Sequence, residues 1–167
     1  NQLLQSSQIR DSLTGLYNYQ GLLQQVKNYY GHYVSVIAID IKGLAGINGQ
    51  YGREEGNKAI RTTADILKSC VKSGISCRLG NGEFVGVVLS HDNDKKNVYK
   101  IKNNLLERLQ SIEGFNYELA VYVGCEVGEV SSREGFEHLL NSAVGQKNGN
   151  KINERKMQNG DILTEEE

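Results

Sequence analysis

The chain has 167 residues, 38% of them hydrophobic, with 19 basic against 20 acidic side chains. That length supports one compact domain with a real core and is too short for two ordinary ones, while the balanced charge excludes generic electrostatic binding to nucleic acid or an acidic membrane. The cysteines Cys70, Cys77 and Cys125 are odd in number, lack metal-ligand spacing and sit in apolar surroundings, so they read as reduced core thiols of an intracellular protein. No apolar run approaches the roughly 20 residues of a membrane span, and the opening NQLLQSSQIR lacks the apolar stretch of a signal peptide. The expectation is a cytoplasmic module without direct membrane contact, cut from a larger parent that is either free or membrane-anchored.

In chain order, Leu3, Leu4 and Ile9 suggest the end of an upstream helix, residues 1–10, running into the pattern-breaking DSLTGLYN of residues 11–18. Leu22, Leu23, Val26 and Tyr30 recur at helical spacing, which predicts a helix from Tyr19 to about Tyr30. The β-branched run from Tyr33 to Ile39 predicts a central strand buried on both faces, with Asp40 at its carboxyl end. A Gly-rich loop follows. Ala59, Ile60, Ala64, Ile66 and Leu67 then mark a helix from about Arg53 to Val71. In CRLGNGEFVGVV, Asn81-Gly82 between apolar runs predicts a two-residue type I′ hairpin, in which both turn residues take positive φ. Val98, Ile101, Leu105, Leu106 and Leu109 predict another helix, Leu119 to Val127 a strand, and Gly135 to Gln146 a short closing helix. Lys151-Ile152-Asn153 is read as an edge strand, and residues 157–167 as a polar tail with frayed Thr164–Glu167. This order implies an α+β, ferredoxin-like domain: a mostly antiparallel sheet with helices covering one side.

Three segments resemble one family. Asp11 to Asn18 is similar to the D-x-L-T-G-L-x-N that opens GGDEF domains, the diguanylate cyclase family. Residues 40–57, DIKGLAGINGQYGREEGN, resemble its D-x-D-x-F-K-x-I-N-D-x-x-G-H-x-x-G-D, and Arg78 to Phe84 stands where R-Y-G-G-[DE]-E-F belongs. Gly124 falls where a late strand carries a characteristic glycine. The resemblance spans residues 11–156 and implies a nucleotidyl-cyclase-like fold. It further implies, for intact members, condensation of two GTP into cyclic di-GMP over Mg²⁺ in a homodimer. Mg²⁺ wants hard oxygen ligands, so the chemistry needs carboxylates at the first strand's end and in the hairpin.

Here the pattern is broken. Asp40 matches the first metal carboxylate, but the hairpin carboxylate is Gly82 and the glycine before it is Asn81; Gly80, Glu83 and Phe84 are kept. Strand alternation puts Glu83 on the opposite face from residue 82, so the expectation is that it replaces the lost ligand only after a register slip. Lys42, Leu44, Ala45, Gly49 and Arg53 replace the family's Asp, Phe, Lys, Asp and His. Asn48 stands where the family hydrogen-bonds guanine, and Asn57 replaces an Asp with that task; an Asn faces guanine donors with a donor of its own, which weakens base selection. Strict register puts Gln146 and Asn150 at the two phosphate-neutralising cation positions, with Lys147 and Lys151 reached only by a one-residue shift and otherwise solvated. The R-x-x-D product-inhibition site reads Val71-Lys72-Ser73-Gly74 and is absent.

Plain structural roles stand beside these. Asp40 caps a turn as readily as it holds a metal, and Asn48 and Asn57 suit helix caps. His32, His91 and His138 are isolated, Tyr29, Tyr30 and Tyr33 suit packing, and Asp92-Asn93-Asp94 lacks the glycine and distal glutamate of a calcium loop. The preferred reading is a degenerate GGDEF domain without cyclase activity or catalytic residues, requiring no cofactor. It serves regulation or dimerisation and partners neighbouring domains of a signalling protein. The vestigial nucleotide residues are Asn48, Asn57, Gly80, Asn81, Gly82 and Glu83, with Asp40 as vestigial metal residue. The alternatives are a GTP-binding sensor without turnover, and a residual cyclase whose Mg²⁺ is held by Asp40, Glu83 and backbone carbonyls.

Overall fold

A computed structural model describes residues 8–158. The predicted features at Leu3, Leu4 and Thr164–Glu167 therefore lie outside the described residues. Gln8 and Ile9 are helical, and the chain then turns through residues 10–18, where Arg10 pairs with Tyr17. Helix α1, Tyr19–Val26, is capped by the Asn18 side chain, which accepts from the Gly21 N–H at 2.9 Å. Its last predicted turn is instead a 3₁₀ turn, Lys27–Tyr29.

Strand β1, His32–Ile41, forms the centre of a four-stranded sheet of order β2-β3-β1-β4, where β2 is Ile75–Gly80, β3 Glu83–Ser90 and β4 Val121–Val130. Every pairing is antiparallel. The ferredoxin-like α+β class is thus observed, but the helices cover both faces. Ile37, Ile39 and Ile41 point toward α3, Arg53–Cys70, and α4, Lys96–Gln110. Val34, Val36 and Ala38 point the other way, into a second core with Leu22 and Val26 of α1 and Phe136, Leu140 and Ala143 of α5, Arg133–Gln158. A strand apolar on both faces needs both covers, each buried aliphatic contributing roughly 1.5–3 kcal/mol. None of the described helices is long and apolar enough to cross a membrane.

Three further elements differ from expectation. The segment after Asp40 contains a helix, α2, Leu44–Tyr51, whose interior Gly46 and Gly49 hide it in the sequence; Gly43 (φ 66°) and Gly52 (φ 95°) bend the chain at its two ends. In the β2–β3 turn the left-handed backbone falls on Gly80 (φ 140°) and Asn81 (φ 48°), not on the Asn81-Gly82 pair, and a register shift between Arg78 and Gly80 accompanies it. The turn is therefore an irregular hairpin rather than the type I′ turn expected. Finally, α5 does not stop at Gln146. It runs on to Gln158, absorbing Lys151-Ile152-Asn153, which is helix and not an edge strand. Asn148, Gly149 and Asn150 oppose that helix by about 2 kcal/mol relative to alanines, so contacts outside the helix must hold it.

Candidate functional site

The site lies where β1 ends beside the β2–β3 turn. Asp40 is the cross-strand partner of Glu83 on one side and of Tyr122 on the other. Directly opposed residues present their side chains to the same face, so Asp40 and Glu83 form a carboxylate pair without any slip of register. The expected alternation is present, but it is Glu83, not residue 82, that shares the face of Asp40. A side chain at Gly82 points to the other face, where its Cβ lies 3.1 Å from Ile41 Cβ and 3.2 Å from Leu44 Cδ2.

Neither carboxylate is free. Lys147 Nζ donates to Glu83 Oε1 at 3.0 Å and Lys151 Nζ to Asp40 Oδ2 at 3.1 Å. One turn further, Glu154 accepts from Lys42 Nζ at 2.8 Å and from the Tyr122 hydroxyl at 2.9 Å. The Lys42 and Tyr122 donors hold the Glu154 carboxyl below its usual value. Lys147 is not a solvated surface lysine: it is 2% exposed, whereas its partner Glu83 remains 41% exposed. The residues that strict register named, Gln146 and Asn150, face elsewhere. Gln146 Oε1 accepts from the Cys125 N–H at 3.3 Å and Asn150 Nδ2 donates to the Val123 carbonyl at 2.9 Å, so they occupy backbone groups of β4.

Gly124 explains how a lysine comes to be buried here. With Ala38 across the sheet and Ala143 on α5, it forms a seam of small residues. Helix α5 approaches so closely that a Cβ on residue 124 would overlap the Ala143 carbonyl oxygen and stand 2.6 Å from the Lys147 backbone nitrogen.

The asparagines do not cap helices. Asn48 is inside α2, exposed, with its side chain against Gly56; Asn57 is in the second turn of α3, its amide 3.5 Å from Glu54 Oε1. The caps of α2 and α3 are Gly43 and Gly52. His32, His91 and His138 are exposed, while Tyr29 and Tyr30 pack against the second core. Cys77 and Cys125 are buried, and burial pushes the Cys77 thiol up to about 12, which keeps it protonated and inert.

On the far side of the turn, Arg78 holds it to the opening segment. Its Nη1 donates to Asp11 Oδ1 at 3.0 Å, and its Nε and Nη2 donate to the Asn81 carbonyl at 3.0 and 2.8 Å. Asp11 also accepts from the Thr14 N–H and hydroxyl at 2.9 and 2.7 Å. Burial alone would raise the Asp11 carboxyl, but the Thr14 donors and Arg78 outweigh it and hold the group below its usual value.

With this geometry in view, residues 8–156 match the family described as diguanylate cyclase, GGDEF domain. The chain belongs to the GGDEF family. This GGDEF domain is 32% identical over 111 residues to the probable diguanylate cyclase DgcJ of Escherichia coli, covering 62% of this chain and 22% of that protein. It is 27% identical over 135 residues to the diguanylate cyclase DgcS of Shewanella oneidensis, covering 76% and 43% respectively. The chain thus spans less than half of either curated relative. Among solved structures, the coiled coil and GGDEF domain of DgcB from Caulobacter crescentus, in complex with c-di-GMP, superposes with TM-score 0.76 at 14% identity, over 91% of this chain and 85% of that one. The diguanylate cyclase SiaD of Pseudomonas aeruginosa, in complex with its activator SiaC, gives TM-score 0.75 at 18% identity, over 92% and 62%. These two similarities establish the fold.

The family implies a divalent metal, and the residues present do not fit one. Position 82 has no side chain, Asp40 and Glu83 already carry an ammonium each, and among the described residues no group of three His, Cys, Asp or Glu side chains gathers. Carboxylates with lowered values also make the domain acid-sensitive. Burial raises Glu126, but donors from Ser142 and Lys95 bring it below its usual value, as with Asp11 and Glu154. For each, the unfolded chain takes up the proton first, so its contribution is complete above the unfolded value and is lost as pH falls through the folded one. Urea midpoints are expected to be level from neutrality to about pH 5 and to fall below about pH 4. The Asp11→Asn variant is expected to lose part of that slope; an identical slope would remove Asp11 from the account.

Proposed function

We propose that this GGDEF domain is a regulatory module of cyclic di-GMP signalling that does not condense GTP. The observation that carries this reading is the state of the two strand-end carboxylates: Asp40 and Glu83 are each neutralised by a lysine of α5, and Gly82 supplies no third oxygen ligand. Phosphoryl-transfer chemistry of this kind draws on metal charge and positioned phosphate. A site already neutralised by its own lysines offers neither a metal cradle nor free cations for phosphate, so no cofactor is required.

The module passes on a signal that arrives at its opening segment. Asn18 N–H donates to the Ile9 carbonyl at 2.9 Å, and Asp11 is joined to the Arg78 that grips the turn, so an upstream helix is mechanically connected to the hairpin. The partners are neighbouring domains of a cytoplasmic signalling protein, free or membrane-anchored, and a second copy of the domain. The coiled coil that accompanies the DgcB domain and the activator bound to SiaD are examples of such inputs.

Purified domain incubated with GTP and Mg²⁺ or Mn²⁺ is expected to yield no cyclic di-GMP above a no-enzyme control. Turnover that Asp40→Ala abolishes would overturn the reading in favour of a residual cyclase. Calorimetry with GTP reads the remaining alternative: binding without turnover would make the domain a nucleotide sensor, the exposed amide of Asn48 being its available base contact.

A further inference from the structure

Helix α5 continues where its own sequence argues for stopping. Asn148, Gly149 and Asn150 are successive poor helix formers, yet the helix passes through them to Gln158. Lys147 and Lys151 bracket this run, and Glu154 follows three residues on. Spacings of four and three put these side chains on one helix face, where they meet Glu83, Asp40 and the Lys42–Tyr122 pair in turn. Gln146 and Asn150, also four apart, tie the neighbouring face to the open edge of β4. The anchoring rungs thus straddle the weakest stretch of the helix.

We propose that Lys147 and Lys151 are resident counter-cations of the strand-end carboxylates, and that their pairing latches α5 as a single rod across the site. The path of the helix beyond Gly149 then depends on whether those pairs are made. Asp40 and Glu83 are directly opposed, so without the lysines two carboxylates would face one another at cross-strand distance. Such a pair repels itself and attracts a divalent cation. The lysines therefore do two jobs with one contact: they keep a metal out, and they keep residues 148–158 helical. The latch rests on the reading that the lysine-neutralised carboxylates hold no metal, and the segment it controls is residues 148–158.

The test uses Mn²⁺ as probe, with free Mn²⁺ read by electron paramagnetic resonance, and amide exchange along α5. The Lys147→Met/Lys151→Met variant is expected to bind about one Mn²⁺ per domain where the unmodified domain binds none under the same conditions. Its amides at residues 148–158 are expected to exchange about tenfold faster, while residues 133–146 keep their protection. Because burying a changed Lys147 risks the fold, Asp40→Asn/Glu83→Gln serves as the volume-conserving partner and is expected to loosen the same 148–158 segment without gaining Mn²⁺ binding. Unchanged exchange at residues 148–158 in that second variant, or Mn²⁺ bound equally well by the unmodified domain, would overturn the latch. Neither readout depends on GTP, so a failure here is distinct from a failure of the regulatory reading.

Discussion

Gly124→Ala is expected to destabilise the domain by about 3 kcal/mol, the upper part of the range for forcing volume into a packed interior. The added methyl would meet backbone, the Ala143 carbonyl and the Lys147 nitrogen, and not a side chain able to rotate away. Helix α5 must then lift from β4, along a seam whose other members, Ala38 and Ala143, are already too small to give ground. Lifting it also pulls Lys147 from Glu83 and leaves an ammonium without a partner in a buried position, a second penalty on top of the first. The contrast is Gly145→Ala on the same helix. Nothing lies within 4 Å of a Cβ there, and replacing glycine by alanine inside a helix is worth roughly 0.5–1 kcal/mol in favour of the fold. Urea denaturation with a constant m-value reads both. Opposite signs for the two variants are the expected result, and equal effects would mean that close approach at residue 124 is not what sets the position of α5.

The parts of this architecture that were legible in the sequence are those written as periodic apolar pattern. Strand β1 was readable because its interior is β-branched and apolar on both faces, and α3 because Ala59, Ile60, Ala64 and Leu67 repeat at helical spacing. The same logic should have placed helices on both sides of the sheet, since a strand with two apolar faces needs two covers. Helix α2 was hidden by its interior glycines, and the far half of α5 by Asn148-Gly149-Asn150, where tertiary anchoring overrides propensity. Of the site, the strand pattern places Asp40 at a strand end, and its role, like that of Glu83, comes from the family resemblance. The lysines that complete it read as solvated because the closing helix is expected to end at Gln146, which leaves Lys147 and Lys151 in a polar stretch beyond it. A signal was nonetheless present: Phe136, Leu140, Ala143 and Lys147 are spaced by four, three and four, so Lys147 continues the buried stripe of its helix. A charged residue at the end of an apolar stripe is a candidate for a buried pair, and its spacing to Lys151 then extends the same face to Asp40.

Arg78→Ala is expected to cost about 2–3 kcal/mol and to detach the opening segment from the hairpin. Arg78 and Asp11 keep 13% and 18% of their side-chain surface exposed, so the figure sits below that for a fully buried pair. Removal leaves two groups short of partners at once. The Asp11 carboxylate keeps only the Thr14 donors, and the Asn81 carbonyl loses both guanidinium bonds at a residue already held at φ 48°, outside the range side chains prefer. Arg78→Lys is expected to recover little of the loss, because a single ammonium cannot reach the carboxylate and the turn carbonyl with the geometry of a planar fork. A double-mutant cycle with Asp11→Asn separates the pair from the turn: a coupling of about 1–2 kcal/mol is expected, with faster amide exchange in residues 10–18 and 78–83. The backbone also joins these segments, through an isolated bridge in which Tyr17 N–H donates to the Ser76 carbonyl at 3.2 Å and Arg78 N–H to the Tyr17 carbonyl at 2.9 Å. On the regulatory reading, movement arriving at Ile9 is expected to reach the turn through the Asp11–Arg78 pair together with the Tyr17 bridge. A coupling below about 0.5 kcal/mol would mean that the turn is held by Arg78 alone, and that an upstream signal must enter the domain by another route.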